Sequence, residues 1–150
     1  MIKPRMLGHV VIRVRDAKRS EDFYHDVLGL EVRNRTRGGK MIFLTSNPEI
    51  DHELALAELG PDATGPFADQ VGMYHMAWEL ADMDELKGAY QAVLDNNVDV
   101  AGFGDHGEIK GLYIRDPDGI EIELYAFAPE FEKTPLEEIL TGGSRESATA

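Results

Sequence analysis

The chain is written twice in degenerate form, and that repeat restricts its fold more than any other feature. Alternation of apolar and polar residues predicts a strand over 6–14. A helix is then expected from about Ser20 to Val27, ending at Leu28-Gly29-Leu30 with Gly29 as the residue that stops it. Three strand-like segments follow, Glu31 to Arg35, Met41 to Thr45 and His52 to Glu58. The order then recurs. Residues 72–80 read as a strand, Asp82 can cap a helix running to about Leu94, and Asp95-Asn96-Asn97 is its stop. Further strands are predicted at Val98 to Gly102, Lys110 to Ile114 and Ile120 to Phe127.

Each half is therefore strand–helix–strand–strand–strand. His9 and His75 occupy the same place in the two halves (75 − 9 = 66), and Val32 and Val98 keep that offset (98 − 32 = 66), which predicts helices of equal length. Phe43-Leu44 matches Tyr113-Ile114 at 70 (113 − 43 = 70), and Asn47-Pro48 and Asp116-Pro117 mark equivalent turns. Gly60 to Gly65, with Pro61 and Pro66, reads as a linker. The expected organisation is one domain over 1–150, with a first module at about 6–60, a linker at 61–70, a second module at 71–127 and an extension at 128–150. In the extension, Thr134-Pro135-Leu136-Glu137 reads as a capping box with proline at the first helical position. It opens a short helix to Leu140, and Thr141-Gly142-Gly143-Ser144 onward reads as a frayed tail.

Composition removes several classes of function. With 43% hydrophobic residues the chain can build a core, and no apolar run approaches the length of a membrane span. Met1-Ile2-Lys3-Pro4-Arg5 is basic but no apolar stretch follows, so no signal peptide is expected. The absence of cysteine excludes disulfides, thiolate metal sites and a cysteine nucleophile, and a cytoplasmic location is expected. The 28 acidic residues against 15 basic ones give a net charge of −13, which repels phosphate backbones and argues against a nucleic-acid partner.

Side chains alternate across a strand. In the first strand Val10, Ile12 and Val14 share a face opposite His9, Val11 and Arg13. In the strand at 72–80, Met76, Trp78 and Leu80 oppose His75, Ala77 and Glu79. In the last, Ile120, Ile122 and Leu124 oppose Glu121, Glu123 and Tyr125. The apolar faces can pack on the helices, which leaves His9, His75 and Glu123 on the polar faces. Two imidazoles and a carboxylate form a common ligand set for a divalent metal with open positions, Fe(II) being its best-known occupant. A lone strand histidine is more often packed or exposed than a ligand, and Glu121 and Glu123 also suit a solvent-facing edge strand. The repeat, which relates His9 to His75, favours the metal.

Three segments carry a resemblance: Gly8-His9-Val10, Phe23-Tyr24-His25-Asp26-Val27-Leu28-Gly29-Leu30 and Asp116-Pro117-Asp118-Gly119-Ile120-Glu121-Ile122-Glu123-Leu124. Through them the chain resembles the vicinal oxygen chelate superfamily of glyoxalases, fosfomycin- and bleomycin-resistance proteins and extradiol ring-cleaving dioxygenases, over roughly residues 6–127. The resemblance implies an α+β fold of two tandem βαβββ modules forming a half-open mixed β-barrel around a metal cleft, plus the short C-terminal helix. It implies His9, His75 and Glu123 as metal ligands. Asp51-His52-Glu53-Leu54-Ala55-Leu56 resembles the segment that carries an active-site histidine in type I extradiol dioxygenases. Asp105-His106-Gly107 resembles the loop that supplies another, and Tyr113 matches the position of their tyrosine.

What this implies is extradiol cleavage of a catechol by O2 at Fe(II), with Mn(II) as an alternative metal, and a homodimer or higher homo-oligomer. His52 would be the acid/base, because its unperturbed pKa lies near neutrality, while Tyr113 and His106 would hydrogen-bond the substrate. A glyoxalase-like isomerase or thiol transferase would need a fourth ligand or a cationic pocket. A metal-free module binding a small molecule would have no use for the His/His/Glu set. Under the repeat, Glu123 corresponds to His52 at an offset of 71 or to Glu53 at 70. Which of these two faces the metal separates an oxygen-activating site from a closed one.

Overall fold

The computed structural model describes residues 1–142, so the expected tail lies outside the described residues from Gly143 on. Two compact units divide the chain, Met1–Phe67 and Ala68–Ala150. The first holds β1 (Val10–Val14), α1 (Ala17–Asp26), β2 (Glu31–Thr36), β3 (Met41–Thr45) and β4 (Leu54–Glu58). The second holds β5 (His75–Glu79), α2 (Met83–Asp95), β6 (Val100–His106), β7 (Ile109–Arg115), β8 (Glu121–Phe127) and α3 (Leu136–Thr141). The strand orders are β1-β4-β3-β2 and β5-β8-β7-β6. In each sheet the first strand pairs in parallel with the last, and the remaining pairs are antiparallel. The expected barrel is thus two open four-stranded sheets.

Each helix forms where a cap and an apolar stripe coincide. Asp16 Oδ1 accepts from the Arg19 N–H at 2.9 Å, and the buried residues Ala17, Ser20, Glu21 and Tyr24 follow the i, i+3, i+4, i+7 spacing of one helix face. Glu21 sits in that stripe as a carboxylate gripped by Arg35 at 2.7 and 2.8 Å, and this pairing holds its carboxyl below the usual range. Gly29, at φ 71°, donates to the His25 carbonyl at 3.0 Å and turns the chain into β2. Asp82 accepts from the Asp84 and Glu85 N–H groups, while Glu85 reaches back to the Ala81 N–H. Helix α1 covers Ile42, Leu44, Leu54 and Leu56, and α2 covers Leu112, Ile114, Ile122 and Leu124. Burying each of these side chains contributes roughly 1.5–3 kcal/mol.

The structure corrects the repeat's arithmetic. α1 has 10 residues and α2 has 13, so the helices differ in length. The bulges between Val32 and Asn34 and between Val100 and Gly102 are the true equivalents, at an offset of 68 (100 − 32 = 68) rather than 66. Strand ends also moved, because a strand lasts only as long as its partner. β1 begins at Val10 and β5 at His75, where pairing with β4 and β8 begins, while β6 runs on to His106 opposite Ile109.

The cap of α3 differs as well. No side chain of the Thr134-Pro135 segment caps it; the Leu136 N–H instead donates to Asp105 Oδ1 at 2.9 Å. That same oxygen accepts from Lys110 Nζ at 2.8 Å, and Lys110 is 1% exposed. One carboxylate therefore neutralises a buried ammonium and anchors a helix. Among the described residues no helix is long and apolar enough to cross a membrane.

Candidate functional site

All four strands of the second unit deliver a side chain to one face of its sheet. His75 leads β5, and Ala77, two residues on, pairs with Glu123 of β8. That diagonal brings His75 Nε2 to 3.3 Å from Glu123 Oε2. Tyr113 of β7 lies directly opposite Glu123, and its hydroxyl donates to Glu123 Oε1 at 3.0 Å. His106, at the end of β6, places Nε2 3.3 Å from the same hydroxyl. The result is one continuous polar chain, His106–Tyr113–Glu123–His75. It borders a cavity of about 790 Å3, a size ordinary for small-molecule sites, whose lining also includes Tyr74, Ala77, Gly102, Ile109, Glu121 and Tyr125.

Burial first, and then the bond to Glu123, push the Tyr113 hydroxyl up to about 12, so it is a proton donor at any physiological pH. Tyr125 is raised too, by burial and by Glu79, to which its hydroxyl donates at 3.2 Å. Glu123 is only 9% exposed, and each of its oxygens has its own partner. Among the described residues the cavity lining contains no lysine or arginine.

In the first unit, the His9 and His52 rings lie 4.6 Å apart, and Phe43 meets His52 edge-on at 4.9 Å. His52 Nδ1 is 2.5 Å from Asp51 Oδ2, which leaves Nε2 as its free nitrogen. Glu53 turns the other way, accepting from the Thr45 hydroxyl at 2.8 Å, the Ser46 N–H at 2.7 Å and the Ser46 hydroxyl at 2.8 Å. Burial pushes the Glu53 carboxyl up, but these bonds outweigh it and hold the group below its usual range. Of the two candidates, His52 accompanies His9 and Glu53 ties down a turn.

Neither, however, is the repeat partner of Glu123. Phe43 pairs with Ala55 just as Tyr113 pairs with Glu123, and Val11 pairs with Ala55 as Ala77 pairs with Glu123. The equivalent position is Ala55, at an offset of 68 (123 − 55 = 68), because the β3–β4 connection is longer than its counterpart. The first half has no carboxylate on that rung.

Two adjacent donors on a divalent metal, each at about 2.1 Å, stand about 3 Å apart. His75 Nε2 and Glu123 Oε2 match that separation, so the donor chemistry of this pair fits a metal. Among the described residues no group of three or more such side chains is arranged to hold one. The structure thus brings His75, Glu123, Tyr113 and His106 together in one unit, and His9 and His52 in the other. Phe103 packs on Tyr90 at 5.9 Å, and neither it nor Met73 lines the cavity. The sequence reading missed Tyr74 and Gly102. Tyr74 lies beside a candidate ligand, but glycine carries no chemical signal.

Two units of βαβββ order, one presenting a His/Glu/Tyr chain to a cavity, define the class of fold. The chain belongs to the Glyoxalase/Bleomycin resistance protein/Dioxygenase superfamily, whose family model matches residues 6–124. It is 33% identical over 124 residues to a catechol-2,3-dioxygenase of Bacillus subtilis, a match that covers 82% of this chain but 42% of that protein. It is 28% identical over 132 residues to a lactoylglutathione lyase of Salmonella typhimurium, covering 79% of this chain and 90% of that one. A glyoxalase/dioxygenase structure from Nostoc punctiforme aligns with a TM-score of 0.70 at 24% identity, covering 85% of this chain and 96% of that chain. That last likeness speaks for the fold.

Proposed function

We propose that the protein cleaves a catechol-type ring with O2 by the extradiol route, at Fe(II) for which the second unit offers His75 and Glu123 as ligands. The observation that carries this reading is the His106–Tyr113–Glu123–His75 chain along one cavity. The metal would supply Lewis-acid polarisation and a common template for both reactants. The residues supply the proton handling and the orientation. In the first unit His52, its Nδ1 taken by Asp51, keeps Nε2 for accepting and returning a proton. Tyr113, protonated at working pH, donates from its hydroxyl and holds Glu123 in place. His106 aligns that hydroxyl, and the tyrosines of the lining exclude water around a flat ring.

Lactoylglutathione lyase activity is the second reading, favoured by the match to nearly the whole length of such an enzyme. Against it stand Ala55 at the rung where a fourth carboxylate would sit, Glu53 engaged in a turn, and a lining without a cation for an anionic substrate. The test is anaerobic Fe(II) loading followed by a panel of catechols in air, with a parallel lactoylglutathione lyase assay. A yellow ring-fission product with oxygen uptake is expected. Bound iron with neither signal on any catechol would sink the proposal.

A further inference from the structure

Glycines at two cross-strand partner positions, Gly104 on β6 and Gly111 on β7, lie under the polar chain. Neither has a positive φ, so backbone conformation does not require glycine at either place. Space does. A Cβ on Gly111 would stand 3.2 Å from Glu123 Cδ and 3.3 Å from Cγ, with Oε1 closer still. A Cβ on Gly104 would stand 2.7 Å from Tyr113 Cε2, 3.2 Å from the Tyr113 hydroxyl and 3.1 Å from His106 Nε2. Gly102, on the same face two residues earlier, has nothing within 4 Å of an added Cβ. Glycine weakens a strand, and two of them face to face are justified where another group must approach the backbone closely.

We propose that Gly104 and Gly111 are positioning residues: the bare rung they form is the seat on which Glu123, Tyr113 and His106 assemble. Gly111 seats the carboxylate and Gly104 seats the tyrosine–histidine pair. Their consequence for metal affinity rests on the functional reading above; the seat itself does not. The atoms nearest the added methyls include the ends of flexible side chains, so the substitutions move groups more than they unfold the sheet.

The test is Gly111→Ala, Gly104→Ala and Gly102→Ala, read by metal-free thermal melts and by anaerobic Mn(II) titration. Gly111→Ala lowers the Tm by a few degrees in the wild-type background. In the Glu123→Ala background, where no carboxylate needs the seat, it leaves the Tm unchanged or raises it. Gly111→Ala weakens Mn(II) binding by about tenfold or more, as loss of a ligand's supporting contact does. Gly104→Ala weakens Mn(II) binding less than Gly111→Ala does, because it displaces Tyr113, which supports the ligand, rather than the ligand itself. It lowers kcat more than it changes KM. Gly102→Ala leaves Mn(II) affinity as in the wild type. An equal Tm loss for Gly111→Ala with and without the Glu123 carboxylate overturns the proposal. So does an equal Mn(II) effect of Gly111→Ala and Gly102→Ala. A wild type that binds no Mn(II) and no Fe(II) overturns the functional reading, and the melting cycle still decides on the seat.

Discussion

Tyr113→Phe removes one oxygen and nothing else from the centre of the polar chain. The lost bond runs from a hydroxyl to an ionised carboxylate at 3.0 Å, a type that contributes about 1.5–3 kcal/mol. Tyr113 is half-buried, so the lower end, about 1.5 kcal/mol, is the working figure. For a chain of this size that lowers the Tm by roughly 3–6 °C at pH 7. The pH dependence adds a second signature. The folded pKa of Tyr113 is about 12 against an ordinary 10, so the folded state keeps a proton that the unfolded chain has released. Its contribution is therefore complete below pH 10 and is lost as pH rises from 10 towards 12. Metal-free melts from pH 7 to 11.5 should show the wild type losing stability faster than Tyr113→Phe above pH 10. Tyr125, whose hydroxyl is raised by burial, and Lys18, raised by its bond to Asp22, add to the alkaline loss that remains in the variant. A variant with the wild-type Tm at pH 7 and the same alkaline slope refutes the reasoning.

Glu53→Gln loses a turn carboxylate whose pKa is held low, so its stabilisation is present above the ordinary carboxyl range and lost as pH falls through it. Acid unfolding should flatten at a cost of about 1–2 kcal/mol at pH 7, with Fe(II) affinity unchanged in titration. His52→Ala should keep iron and lose turnover about 10²–10⁴-fold; full activity would remove His52 from the chemistry. Lys110→Ala should cost about 2 kcal/mol, below the figure for a fully buried pair because the Asp105 side chain is 41% exposed. Limited proteolysis should then release α3 sooner; unchanged cleavage would show that Asp105 holds the helix without its ammonium.

The alternation of His75, Ala77 and Glu79 against Met76, Trp78 and Leu80 was enough to place a strand and its faces, because a period of two survives any error in its ends. The pairing of Tyr113 with Glu123 was legible only as a spacing of ten, since register depends on the turn at Asp116–Gly119. There Asp116 Oδ1 accepts from both the Asp118 and Ile120 N–H groups. Ala55 was missed as the partner of Glu123 because the β3–β4 connection carries extra residues, and an offset counted along the chain cannot see them. Gly104 and Gly111 were invisible for a different reason: their role is an absence of atoms, defined by side chains from other strands. Asp105 was read as a neighbour of His106, and its bond to the Leu136 N–H spans 31 residues that no local pattern connects.

That bond makes α3 a lever. Its fulcrum is Asp105, one covalent link from His106, and its load arm is the helix Leu136–Thr141 itself. Loosening α3, for instance by emptying the buried Leu136 position, frees Asp105 and with it the hairpin that carries His106, so a change in this helix is also a change in the site.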